Sequence, residues 1–183
     1  MTHWKLLCRR AIGVLCLFCL IGLVQADDFK LEPGFTCLDN GKDLDGWTGD
    51  VTGWSVAEGA IHLDVKTAKG NIYYKSTHTR NCVIRLQFRA TKGADSGVYV
   101  YGKQLQVRDY PNAGPKEYAK PCKPAGEWNE LEWDISGGVA VVKLNGEVIE
   151  KAWEIGKNDK QGIGLQRERG DFDFRYVRLK EKE

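Results

Sequence analysis

Residues 95–109 read Asp95-Ser96-Gly97-Val98-Tyr99-Val100-Tyr101-Gly102-Lys103-Gln104-Leu105-Gln106-Val107-Arg108-Asp109. Apolar residues fall at every second position on both sides of Gly102-Lys103, which predicts a β-hairpin. With Gly102-Lys103 as a two-residue turn, Val100 faces Leu105 and Val98 faces Val107, giving one apolar face for a core. The other face pairs Tyr101 with Gln104, Tyr99 with Gln106 and Gly97 with Arg108, and Asp95 extends it at the open end. Gly97 leaves room there for Arg108 to lie across the sheet. Sugars offer flat C–H patches to aromatic rings and many hydroxyls to amides, so tyrosine beside glutamine reads as a saccharide surface. A solvated face carrying two good strand formers fits these residues equally well.

The same period runs through the rest of the chain. Leu131, Trp133 and Ile135 share one face of their strand while Glu130, Glu132 and Asp134 share the other. Cys82, Ile84, Leu86, Phe88 and Ala90 alternate with Val83, Arg85, Gln87 and Arg89, so this strand presents a basic outward face. Asn145-Gly146 supplies the positive φ angles of a type I′ turn between Val139–Leu144 and Glu147–Ala152. Glu58-Gly59 separates Trp54–Ala57 from Ala60–Val65, and further strands are expected at Asn71–Tyr74, Gly162–Gln166 and Phe172–Lys180. Tyr110–Gly126, with four prolines, is expected to be a long loop. Many short strands at this spacing predict an all-β fold of two stacked antiparallel sheets or a barrel.

Residues 1–26 read as a signal peptide: Lys5, Arg9 and Arg10 precede an apolar run from Ala11 to Val24, and Val24-Gln25-Ala26 offers a cleavage site. Crossing a bilayer takes about 20 apolar residues, so no membrane span is expected, and export to the periplasm or the exterior is. Residues 27–183 then form a single domain. Without the three leader cations, 24 basic residues face 25 acidic ones, with no basic cluster, which disfavours nucleic acid as a partner. Cys37, Cys82 and Cys122 permit at most one disulfide, and their spacing excludes a zinc cluster of the CxxC kind. His62 alternates with Ile61 and Leu63 and is expected to face solvent.

A series of motifs adds a resemblance. Asn40-Gly41-Lys42-Asp43-Leu44-Asp45-Gly46-Trp47 leads, followed by Trp54-Ser55-Val56 with Glu58-Gly59, and by Asp95-Ser96-Gly97-Val98-Tyr99. Gln104–Asp109, Lys123-Pro124-Ala125-Gly126-Glu127-Trp128-Asn129, Leu144-Asn145-Gly146, and Gly162–Gln166 with Phe174-Arg175 follow in order. Over about residues 35–180 the chain resembles the 3-keto-disaccharide hydrolase family. The resemblance implies a two-sheet antiparallel jelly-roll sandwich of the concanavalin A-like kind and a saccharide ligand. It also implies cleavage of glycosides whose glucose ring carries a ketone at carbon 3. That ketone acidifies the proton on carbon 2, so the chemistry needs a base, a cation or donor for the enolate oxygen, and an acid for the leaving group.

Carried over by motif, Gln104 and Gln106 become substrate ligands, with Asp95, Tyr99, Tyr101 and Trp128, and Asp109 or Glu127 becomes the base. Arg108 would hold the enolate oxygen; for Glu127-Trp128-Asn129 a purely structural strand start is an equal reading. The chain also departs from the pattern. Arg167-Glu168-Arg169-Gly170 stands where relatives carry Asp-His-Gly, leaving Glu168 in the histidine's role, while Tyr101 replaces an arginine and Tyr176 an asparagine. No cofactor is implied; calcium near Asp43 and Asp45 occurs in related jelly rolls, but the spacing does not point to it. The alternative function is a non-catalytic carbohydrate-binding module of the same fold. An ordinary two-carboxylate glycosidase is disfavoured, since no Glu-x-Asp-x-x-Glu strand is present.

Overall fold

The computed structural model describes residues 29–74, 80–158 and 161–183, so the leader reading of residues 1–26 lies outside the described residues. In chain order the strands are β1 (Thr36–Cys37), β2 (Trp47–Gly49), β3 (Trp54–Ala57), β4 (Ala60–Leu63), β5 (Ile72–Tyr74), β6 (Cys82–Ala90), β7 (Asp95–Val100) and β8 (Lys103–Arg108). Two one-turn helices, α1 (Tyr110–Ala113) and α2 (Lys116–Ala119), precede β9 (Asn129–Ser136), β10 (Val139–Leu144), β11 (Glu147–Glu154), β12 (Ile163–Leu165) and β13 (Phe172–Glu181).

The strands form two antiparallel sheets, ordered β11-β10-β9-β6-β13-β4-β3, with β1 beside β13, and β2-β5-β12-β7-β8. Alternation predicts two stacked antiparallel sheets or a barrel and the family resemblance a jelly roll; the chain is the two-sheet jelly-roll sandwich. In β6 the even-numbered side chains are buried and the odd-numbered ones half-buried, so the strand divides a hydrocarbon face from a charged one. Phe88, Leu131, Trp133, Phe172 and Phe174 from the larger sheet share one buried core with Ile72, Val98, Val100, Leu105, Val107, Ile163 and Leu165 from the smaller.

The hairpin register and the long loop are corrected, while the outward placement of His62 holds. The β7–β8 reversal is made by Tyr101 and Gly102, at φ +51° and +87°, and not by Gly102 and Lys103. Val98 therefore faces Leu105, Tyr99 faces Gln104, Gly97 faces Gln106 and Asp95 faces Arg108, two residues out of the expected register. A slip of two preserves parity, so both faces keep their members; a slip of one would have exchanged them. The exception is Tyr101, which leaves the polar face for the turn and is 3% exposed, with the Arg80 guanidinium over its ring. The Tyr110–Gly126 stretch is not all loop: Pro111 sits in the first turn of α1, where its missing N–H has no helical partner to lose. His62 does sit outward, yet its Nδ1 lies 2.7 Å from Asp173 Oδ1, so a carboxylate holds it.

Cys37, Cys82 and Cys122 are all free thiols, and burial pushes Cys82 and Cys122 up to about 11. Asp43 spends its carboxylate on Asn40 Nδ2 at 2.7 Å and the Asp45 N–H at 3.0 Å, closing the loop on itself.

One polar knot ties the segment from Glu32 to Asp39 to the last strand, β13. A bulge in β13 puts Tyr176 at φ +53° and leaves Arg178 1% exposed, where it bonds Glu32 and Glu130 at 2.8 Å. The Phe35 ring stacks on both Arg85 and Arg178, and Asp39 Oδ2 accepts the Val177 N–H. Arg178 is buried while Glu32 and Glu130 keep about a third of their side chains in solvent, so Arg178→Ala removes charge-assisted hydrogen bonds without stranding a buried carboxylate and should lower stability by about 1–3 kcal/mol, read from urea unfolding. The carboxylates act oppositely with pH. Bonding to Arg178 holds Glu32 down at about 2, against 4.5 ordinarily, so its contribution is present above pH 4.5 and lost as pH falls through 2. Burial lifts Asp39 from 3.8 to about 6, so the folded state binds its proton more tightly and loses stability as pH rises from 3.8 to 6. Asp39→Asn keeps an acceptor for Val177; melting temperatures measured across that window should decline less in this variant than in the parent.

Candidate functional site

The outward face of the five-stranded sheet collects polar side chains in three rows. In the first, Tyr73, Gly164, Tyr99 and Gln104 are neighbours across β5, β12, β7 and β8. In the second, Gln166 follows β12 and donates its N–H to Gly97 O, and Gly97 faces Gln106. In the third, Asp95 faces Arg108 on one side and pairs with Arg169 on the other. The outward residues alternate with buried ones because each strand is pleated.

Two glycines set the depth of this face. A Cβ on Gly164 would lie 2.5 Å from the Tyr73 ring, and one on Gly97 would lie 2.4 Å from Gln104 Nε2. The bare backbone lets the ring and the amide lie flat. The space over Gly97 is thus taken by Gln104 and not, as expected, by Arg108. Tyr73 and Tyr99 sit with ring centroids 5.8 Å apart, tilted at 46°, forming an aromatic floor. Burial first, then the charges of Tyr73 and Glu168, push the Tyr99 phenol above its ordinary value, which keeps it a neutral donor.

From that floor the glutamines relay to the charged end. Gln104 Nε2 donates to Gln106 Oε1 at 2.8 Å and to Gln166 Oε1 at 2.7 Å. With its oxygen so engaged, Gln106 turns its Nε2 to two carboxylates, Asp95 Oδ1 and, at 3.1 Å, Glu168 Oε2. One amide nitrogen therefore tethers a carboxylate pair. Asp95 is 6% exposed, whereas Glu168 is open to solvent. Cations flank them: Arg108 Nε lies 3.0 Å and Arg169 Nη2 3.7 Å from Asp95. The Arg108 Nε–H finds no well-directed acceptor, so its contact with Asp95 is Coulombic; its Nη1 donates to Ala113 O at 2.9 Å.

The structure brings Asp95, Tyr99, Gln104, Gln106, Arg108 and Glu168 together, and separates the other four candidates from them. Tyr101 is in the buried turn. Asp109 is 2% exposed, with Oδ2 holding the Gly93 N–H and the Asn112 amide, so it braces the turn after β8. Trp128 is stacked by Arg89 and Arg175, outward residues of the larger sheet, and Glu127 precedes it in an exposed turn. Their motif is a strand start: Asn129 accepts the Lys123 N–H and bonds Asn145. Tyr73, Asn71, Gln166 and Arg169 are members that sequence reasoning missed. Tyr73 and Gln166 lie in stretches already read as strands, and alternation alone puts Tyr73 beside Asn71 and Gln166 beside Gly164. Among the described residues no cluster of three or more His, Cys, Asp or Glu is arranged to hold a metal ion.

A two-sheet jelly roll with an aromatic and amide-lined outward face defines a class of carbohydrate-active and carbohydrate-binding proteins. Residues 34–180 match the 3-keto-alpha-glucoside-1,2-lyase-like domain, and the chain belongs to that family. No functionally curated protein matches the sequence. Among solved structures, the chain is similar to two proteins from Parabacteroides distasonis named as candidate glycosyl hydrolases. The first is 22% identical with a TM-score of 0.66, covering 82% of this chain and 95% of that one. The second is 21% identical with a TM-score of 0.63, covering 81% and 99%. A carbohydrate-binding module, CBM66 of Bacillus subtilis, shares the fold at 9% identity and a TM-score of 0.57, over 76% of this chain and 98% of its own.

If the glutamine relay depends on bare backbone beneath it, Gly97→Ala should lift Gln104 and release Gln106 while leaving the core intact. If a saccharide binds this face, its calorimetric affinity should fall about tenfold, as expected for one or two lost hydrogen bonds, with a near-unchanged melting temperature.

Proposed function

We propose that the protein cleaves 3-keto-glycosides on the outward face of the five-stranded sheet. The observation that carries this reading is the pair of carboxylates, Asp95 and Glu168, bound to one amide and flanked by Arg108 and Arg169. A ring ketone makes the neighbouring C2–H acidic, so one exposed carboxylate suffices as base. Glu168 takes that proton; Asp95, neutralised by its arginines, positions Gln106 and the cations. As the C2–H electrons form the enolate, charge gathers on the C3 oxygen, where Arg108 or Arg169 stabilises it. The enolate reforms the ketone by expelling the substituent at C1, whose oxygen receives a proton from Glu168 or water. Water then adds across the resulting C1–C2 double bond, giving hydrolysis overall. Tyr73 and Tyr99 support the flat face of a sugar ring.

A second reading is a carbohydrate-binding module that keeps the aromatic and amide face without the chemistry. It is favoured by Arg167-Glu168-Arg169 standing in place of the Asp-His-Gly expected from the family resemblance. Incubation with a 3-keto-disaccharide and with its unoxidised parent separates the two. Release of sugar from the keto compound alone, with C2–H exchange into D2O, is the expected result, and Glu168→Gln should slow it by about 10²–10⁴. Saturable binding with no release would establish the module instead. Retention of full turnover in Glu168→Gln would remove that residue from the mechanism.

A further inference from the structure

A cavity of about 450 Å³ opens on the larger sheet, lined by His62, Arg89, Thr91, Lys92, Asp171 and Asp173. It belongs to the opposite layer from the tyrosine and glutamine rows and has no part in the chemistry above. Its volume falls in the lower range of small-molecule sites.

The wall is ordered by its own contacts. Arg89 gives Asp173 Oδ2 both Nε, at 2.9 Å, and Nη2, at 2.7 Å, while His62 Nδ1 meets Asp173 Oδ1. His62 Nε2 is thereby left as the imidazole's other polar atom. Trp128 stacks under Arg89 with 4.7 Å from guanidinium to ring centre, fixing that guanidinium from a second side. Asp171 is held by Thr91, whose hydroxyl donates to its carbonyl at 3.2 Å and accepts its N–H at 3.1 Å. Asp171 Oδ1 accepts the Val65 N–H at 3.1 Å. Lys92 forms no side-chain hydrogen bond or ion pair among the described residues, and it is exposed at the rim. The lining thus sets two cations and an imidazole against two carboxylates: Asp173 is taken up by Arg89 and His62, which leaves the Lys92 ammonium and the held Asp171 carboxylate to face a ligand. A ligand that matches it carries one anionic group and several hydroxyls close together.

We propose that this cavity is a second saccharide site that takes a sugar acid. The ligand's carboxylate meets Lys92 and Arg89, and its hydroxyls meet Asp171 and His62 Nε2. A carboxylate suits a guanidinium and an ammonium through charge-assisted hydrogen bonds, and ring hydroxyls suit an aspartate that is already held in place. The site is a binding site only and needs no reaction.

Calorimetric titration of the protein with glucuronate, glucose and inorganic phosphate tests this. Glucuronate should saturate at a stoichiometry of about one and bind about tenfold more tightly than either glucose or phosphate. Lys92→Gln, a rim substitution whose folding is checked by its melting temperature, should weaken glucuronate about fivefold or more. Tyr99→Ala, on the other sheet, should leave that affinity as it was. The His62 imidazole signals, assigned by their loss in His62→Gln, should shift on addition of glucuronate. Absence of saturable glucuronate binding overturns the proposal. So does equal affinity for phosphate, which would mean unspecific attraction of anions, or for glucose, which would mean no use of the carboxylate. An unaltered affinity in Lys92→Gln, or a loss in Tyr99→Ala, would move the ligand elsewhere and overturn it as well.

Discussion

A two-residue reversal through Tyr101 and Gly102, both at positive φ, clamps β7 to β8 and so decides which side chains meet on the exposed face of the smaller sheet. Only turns with this handedness match the right-handed twist of paired strands, and glycine at Gly102 makes the second position inexpensive. Because side chains alternate with a period of two, the parity of that one turn commits Val98, Val100, Leu105 and Val107 to the core. It commits Tyr99, Gln104, Gln106 and Arg108 to solvent in the same stroke. The candidate site is therefore the other side of the hydrophobic core, made by the same strands and held rigid by them.

Rigidity matters for the chemistry proposed. Flexible glutamines bind nothing well, since each ordered rotamer has an entropic cost. Here Gln104, bonded to both Gln106 and Gln166 over a bare Gly97, is ordered before any ligand arrives. Its orientation dictates that of Gln106, and Gln106 in turn joins a buried carboxylate to an exposed one. Desolvation and ion pairing distinguish the two acids: Asp95 sits between arginines, while Glu168 keeps access to water. Such a division of labour between neighbouring carboxylates comes from environment and not from residue type.

The larger sheet solves a different problem. Its outward face is rich in arginine, and the chain segment around Glu32 and Phe35 covers part of that charge through Arg85 and Arg178. A left-handed Tyr176 is needed to bring Arg178 to the Glu32 and Glu130 carboxylates, which accounts for the bulge in β13 as a structural device. Further along the face, Arg89, His62 and Asp173 form a second ordered polar cluster around open space. Both sheets thus carry prepared outward surfaces, of unlike composition: aromatic and amide on one, cationic and carboxylate on the other.

Alternation in the sequence determined the all-β class, nearly all long strands and the split between buried and outward residues, because burial of a pleated strand is a local property written at period two. It also determined that Tyr99, Gln104, Gln106, Arg108 and Asp95 share a face. The turn register was out of its reach, since Tyr101-Gly102 and Gly102-Lys103 are both chemically acceptable reversals; in the folded chain Tyr101 takes the turn and is buried. Which strands lie side by side was equally hidden. β5 and β12 enter the smaller sheet from distant parts of the chain, so Tyr73 and Gln166 reach the site only through long-range pairing. For the same reason motif order could not tell Glu127 and Trp128 from Gln104 and Gln106. Tertiary structure alone decided that Trp128 packs against arginines of the larger sheet, with Glu127 in the turn before β9, while Gln104 and Gln106 lie on the smaller sheet, because hydrogen-bond partners along a sheet are set by how the two layers bury their common core.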